Sequence, residues 1–106
     1  MPGKEEEARR KQILHGLRDE ERQKTREAFP ASAVALKKLF NFLDETLQTQ
    51  DCDDTLRFTR EFIARNGLDE KEMVTWLKEN GGYCDCEVLD NVEQVVTDAV
   101  PDYENL

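Results

Sequence analysis

Apolar residues recur at helical spacing along most of the chain, and polar punctuation divides them into separate segments. Residues 4–28 are the most polar of these. Glu5 and Arg9, Glu6 and Arg10, and Glu7 and Lys11 are acid-first pairs four apart, the order that supports a helix. Their apolar face is thin: Ile13, Leu14 and Leu17, then little until Phe29. A helix this polar buries little of itself, so the pattern predicts an arm that projects from the fold, frays in part or packs as a dimer contact. Pro30 closes it, because the residue before a proline avoids the helical region.

From about Ser32 to Gln48, Leu36, Phe40, Leu43 and Leu47 step by four, three and four, with Val34 and Leu39 widening the stripe. This spacing predicts a core-facing helix. "QTQDCDD" breaks the periodicity, and Asp53 or Asp54 is the natural N-cap of a third helix over about Thr55 to Asn66. Leu56, Thr59, Phe62 and Ile63 share one of its faces, and Gly67 fits the left-handed position past its end. In "GLDEKEM", Asp69 reads as the next N-cap, with Glu72 three residues on and Leu68 and Met73 as a hydrophobic staple. Met73, Trp76 and Leu77 face the core, and "ENGG" stops the helix. Tyr83 to Cys86 is expected to be extended or a turn. From Glu87 to about Asp98, Val88, Leu89, Val92, Val95 and Val96 predict a last helix, with a strand at Cys86 to Leu89 as the alternative. Pro101 ends regular structure, and "DYENL" is expected to fray.

These segments predict a mostly α protein. It is a small single-domain helical bundle of four to five helices over residues 31–100, with a charged N-terminal helix over 1–30 and a tail over 101–106.

Composition narrows the functional classes. The 106 residues are 38% apolar and 37% charged, so the core is small and an added staple would help it. No apolar run is long enough to span a membrane. "MPGKEEEARRK" lacks the apolar stretch of a secretory signal. The expected location is the cytoplasm, whose reducing conditions argue against a disulfide framework and leave metal binding, redox chemistry or simple burial for the three cysteines. The net charge of −9 is uneven. Residues 1–30 hold 8 of the 15 Lys and Arg and 7 of the 24 Asp and Glu, a balance of +1, so the remainder carries −10. No basic residue follows Lys78. So acidic a half repels phosphate backbones, which speaks against nucleic acid. It suits solubility first, and a basic partner or a cation second. Partners expected on this reading are an unidentified protein or a second copy of the chain through residues 1–30.

The cysteines are the candidate chemistry. Cys52 sits in "TQDCDDTLRFT", and Cys84 and Cys86 sit in "GGYCDCEVLDNVE". Zinc favours four ligands in a tetrahedron, and thiolate and carboxylate are among its usual donors. Cys52, Cys84 and Cys86 would give three sulfurs, and Asp54, two residues from Cys52 as Cys86 is two from Cys84, would give an oxygen. An ion held this way would tie the second half of the domain together. The competing reading makes the cysteines small buried apolar residues and the aspartates helix caps. A redox pair of Cys84 and Cys86 is a further possibility, although a disulfide across one intervening residue is strained. A cysteine nucleophile needs a base, and the single histidine, His15, lies far away in the sequence. Arg57 and Arg60 read as local ion pairs with Asp53, Asp54 or Glu61. Trp76 and Tyr83 read as core and turn packing.

"DCDDTLRFTREFI" and "GLDEKEMVTWLKENGGYCDCEVLDNVE" together resemble the DUF2695 family of uncharacterised bacterial proteins, over about residues 35–94. The distinctive parts are the Cys-Asp-x-Thr-Leu-Arg and Gly-Gly-Tyr-Cys-Asp-Cys-Glu-Val-Leu segments. The resemblance implies Cys-x-His followed by Cys-x-Cys as the usual pattern, and Asp54 stands here in the histidine position. It implies a shared fold and a shared site, and no reaction. The functional expectation is a non-catalytic binding or adaptor module with a structural zinc. The alternative is a thiol-based redox protein or cysteine-dependent enzyme using Cys84 and Cys86.

Overall fold

A computed structural model describes residues 19–106, and every regular element among them is helical. Residues 1–18, which include the paired charges of the arm and His15, lie outside the described residues. The remainder of that segment, helix α1 over residues 19–27, docks by its arginines. Arg22 Nε and an Arg26 guanidinium nitrogen donate to the carbonyls of Asp98 and Ala99, at 3.1 and 2.7 Å. Those carbonyls end the last long helix, where backbone acceptors lack helical partners and positive charge is favoured. Phe29 then turns its ring edge-on to Trp76, centroids 5.6 Å apart.

Helix α2 spans Ala33–Leu47, and the Ser32 hydroxyl caps it by accepting from Ala35 N. Leu36, Leu39, Phe40 and Leu43 are fully buried, whereas Val34, expected on the same stripe, is 44% exposed. Helix α3 spans Arg57–Arg65 and buries Thr59, Phe62 and Ile63. It ends in a Schellman turn: Gly67 takes φ +62°, and Leu68 N reaches back to Ile63 O at 3.0 Å. Helix α4 spans Glu70–Glu79, with Asp69 accepting from Glu72 N at 2.8 Å as its cap. It stops in the same way, with Gly81 at φ +87° and Gly82 N bonded to Leu77 O.

The last helix starts two residues earlier than its apolar spacing predicts. It runs as α5 (Asp85–Glu87), a π-helical turn (Val88–Val92) and α6 (Glu93–Ala99), and no strand forms at Cys86 to Leu89. Val88, Val92 and Val96 are all fully buried. A strict four-residue step drifts about 40° per step around an α-helix. The wider π turn takes up part of that drift and keeps the three valines on one side. Helix α2 lies against α3, α5, the π turn and α6, and α3 lies against α4 and α5. The 84–87 segment therefore meets α2 and α3 at the centre of the fold.

The frayed tail predicted beyond Pro101 is replaced by a packed 3₁₀ turn, Tyr103–Asn105. Tyr103 is buried against the core. The Lys37 ammonium lies over its ring and donates to the carbonyls of Tyr103, Glu104 and Leu106. A charged donor that satisfies three tail carbonyls supplies the order that composition does not reveal.

Candidate metal centre

The site forms where the loop before α3 meets the start of α5. Helix α3 begins at Arg57 behind Leu56, a residue with no side chain able to cap it. Neither Asp53 nor Asp54 takes that role, contrary to the expectation from sequence. Asp53 instead closes a local turn, accepting from the amide and hydroxyl of Thr55, and reaches Arg57 Nε at 3.5 Å. The Thr55 hydroxyl is the main reason its carboxyl ionises below the usual range, with Arg57 adding to the effect. Arg57 also donates to Asp51 O at 2.9 Å, so one side chain ties both ends of the loop.

The cap of α3 comes from Asp85, the residue between Cys84 and Cys86. Its carboxylate is fully buried and accepts from Phe58 N at 3.2 Å, Thr59 N at 3.0 Å and the Thr59 hydroxyl at 2.7 Å. Asp85 N in turn donates to Thr55 O at 3.0 Å. Those amides are orphan donors of the first helical turn, where negative charge is stabilised. Asp85 thus clamps the Cys-Asp-Cys segment onto the start of α3 and fixes where its two neighbours lie.

Cys52 is brought to the same place. The ligand atoms of Cys52, Asp54 and Cys84 all lie within 4.8 Å of one another. Asp54 reaches this position with φ +65°, the single non-glycine residue with positive φ among the described residues. That conformation costs a residue with a Cβ about 1–2 kcal/mol. Strain of this kind collects where a side chain must be aimed. Cys86 lies outside this three-residue group but beside Cys52, whose sulfur also has the Cys86 and Asp54 amides near it. The structure thus brings together three of the four residues that the sequence nominates and leaves the fourth, Cys86, beside Cys52 alone.

The electrostatics follow from these contacts. Burial resists ionisation of Cys52, but the Cys86 and Asp54 amides and the two neighbouring thiols outweigh it, and its pKa falls below the ordinary thiol value. Cys84 is pushed up, first by burial and then by Cys52, while the Glu87 amide works against the rise. Its thiol also donates to the Glu87 carboxylate at 3.5 Å. Cys86 is pushed up to about 11, mainly by its thiol contact with Cys52, then by burial and by negative charge on Cys52, Cys84 and Asp90. The protein by itself thus makes Cys52 the easiest of the three thiols to ionise and the other two harder. A divalent cation would reverse that preference and draw the remaining protons off.

Reasoning from sequence missed two participants. Asp85 was hidden because its partners are 26 and 27 residues away and Asp53, Asp54 and Thr55 stand nearer, of which Thr55 does accept from Arg57 N at 3.3 Å. Glu87 figures in the sequence only as the expected start of the last helix, and nothing in the local string marks its contact with the Cys84 thiol. Arg60 also pairs differently from expectation, reaching Glu70 at 2.9 Å, while Glu61 pairs with Arg65. Trp76 is core as expected, whereas Tyr83 is 59% exposed.

The model of a protein family of unknown function, DUF2695, matches residues 39–91, half of the chain and a span that contains all four candidate ligands. The chain belongs to the DUF2695 family. Uncharacterised proteins Mb2294 of Mycobacterium bovis and Rv2271 of Mycobacterium tuberculosis are each 31% identical to it over 88 residues, 83% of this chain and 89% of theirs. No solved structure matches it. No helix of this DUF2695 protein, among the described residues, is long and apolar enough to cross a membrane.

Proposed function

We propose that this DUF2695 protein is a small non-catalytic binding module whose second half is clipped together by one zinc ion, held by Cys52, Asp54, Cys84 and Cys86. The observation that carries the reading is the convergence of Cys52, Asp54 and Cys84 within 4.8 Å, with Cys86 against Cys52. Ligands on a tetrahedron with zinc–sulfur bonds of about 2.3 Å sit about 3.8 Å apart. The group therefore needs to contract by no more than about 1 Å to close on an ion. Amide donors to the Cys52 sulfur favour the thiolate that a metal requires. Among the described residues, the neighbours of the three sulfurs are one another, amides and carboxylates, an arrangement suited to holding an ion. Such a site belongs in a reducing compartment such as the cytoplasm, where the thiols persist.

Cobalt(II) titration of the metal-free protein tests the ligand set. Three thiolates and a carboxylate predict intense sulfur-to-cobalt absorption and tetrahedral d–d bands that saturate at one equivalent. Cys52→Ser is expected to weaken both. A spectrum of hexa-aquo cobalt throughout the titration would overturn the proposal.

A further inference from the structure

The three thiols also bear on oxidation, and there the structure redirects the sequence reading. Sequence spacing nominates Cys84 and Cys86 as a redox pair. The structure instead sets them on either side of Asp85, whose buried carboxylate is fixed to α3 and whose amide is fixed to Thr55, two residues ahead of it. A bond between them must distort that clamp, in addition to the strain of spanning one residue. Cys84 is nearly fully buried, and its thiol is engaged by Glu87. Cys52 and Cys86 differ on both counts. Each is partly exposed and Cys86 adjoins Cys52, so although the Cys84 sulfur also lies within 4.8 Å of Cys52, Cys86 is the more accessible of its two thiol neighbours. Cys52 lies in residues 51–53, which form no helix that a bond to Cys86 would have to break, while Asp85 holds the other side in place.

We infer that the metal-free protein carries a modification site for peroxides, at which Cys52 and Cys86 form a disulfide that bridges the loop before α3 and the start of α5. The Cys52 sulfur attacks one peroxide oxygen, the O–O bond breaks, and Cys52 sulfenic acid and water (an alcohol for an organic peroxide) are formed. The Cys86 sulfur then attacks the sulfenic sulfur, the S–O bond breaks, and the departing hydroxide takes the Cys86 proton and leaves as water. Two thiols lose two electrons and two protons, and one peroxide is reduced. The inference rests on the arrangement of the thiols and not on the zinc reading. It adds one consequence to that reading: the disulfide consumes two of the four proposed ligands, so a bound ion and the oxidised pair exclude each other.

The test uses the full chain, freed of metal with a chelator and of reductant by desalting. Equimolar hydrogen peroxide is added, remaining thiols are alkylated, and the protein is digested with trypsin without reduction. Cleavage after Lys38, Arg57 and Lys78 places Cys52 on residues 39–57, and Cys84 and Cys86 together on residues 79–106. The expected product joins those two peptides and is two hydrogens lighter than their sum. Fragmentation on either side of Asp85 is expected to put the link on Cys86 and the alkyl group on Cys84. Cys84→Ser should still form the link and Cys86→Ser should not, but the fragment assignment on the native chain stands without either variant. A link confined to residues 79–106, a link to Cys84, a covalent dimer, or overoxidised Cys52 with no link would each overturn the inference. A protein that binds no zinc can still form the bridge, and one that binds zinc can fail to form it, so the two readings fail separately.

Discussion

Asp85 holds the site together at the level of a single residue. A buried carboxylate with three acceptor bonds to the start of α3 is satisfied only in this arrangement. Removing it strands two amides and a hydroxyl in the interior. Asp85→Ala is expected to cost about 2–4 kcal/mol, combining the loss of a helix cap with buried donors left unpaired. Asp85→Asn is expected to cost less, because one amide oxygen can still accept from Thr59. Urea unfolding read by circular dichroism measures both, and an unchanged midpoint for Asp85→Ala would remove the clamp from the account. This residue also marks where reading the sequence stopped. Ser32 and Asp69 cap helices that begin beside them, so their roles are visible in the local string. Asp85 caps a helix more than twenty residues upstream, and nothing in "YCDCE" names its partner.

The junction between α4 and α5 governs the next scale. Gly82 lies under the last helix so closely that a Cβ there would sit 2.9 Å from Val92 Cγ2 and 3.1 Å from both Leu77 O and Val88 Cγ2. Two of those atoms belong to buried valines and the third to backbone, so none can withdraw freely. Gly82→Ala is expected to destabilise by about 1–3 kcal/mol, the usual cost of overpacking a core. It should also push Cys84 away from Cys52, which a lowered cobalt affinity would report. Wild-type stability and affinity in that variant would contradict the packing described. The apolar spacing anticipated every helix from α2 onward, since each buries one stripe. Three features escaped it: the π turn, which leaves no mark in a four-residue spacing, the early start at Asp85, which follows from the contact with α3, and the 3₁₀ turn of the tail, which Lys37 holds.

Across the described residues, α1 and the tail after Pro101 are drawn onto the core by contacts that periodicity does not encode. Arg22 and Arg26 reach the end of α6, and Lys37 gathers the tail around Tyr103. Burial, with a smaller contribution from Glu93, raises the Tyr103 pKa to about 12. In the unfolded chain a tyrosine ionises at about 10. The folded state therefore binds the proton more tightly, and the stability linked to it is complete below the lower value and lost as pH rises through the upper one. Denaturation midpoints are expected to fall across that interval, and to fall less steeply in Tyr103→Phe. Equal slopes in the two proteins would place the alkaline loss elsewhere.

The same scale holds the central claim, that an ion joins the loop at Cys52 to the helix start at Cys84. The most direct measurement is the metal content of the protein purified in a thiol reductant without chelator. The account predicts close to one zinc per chain, removed by a strong chelator together with a lower melting temperature, and absent from Cys52→Ser/Cys84→Ser. Protein that carries no zinc, takes up none after incubation with excess zinc and desalting, and melts unchanged in chelator would contradict it.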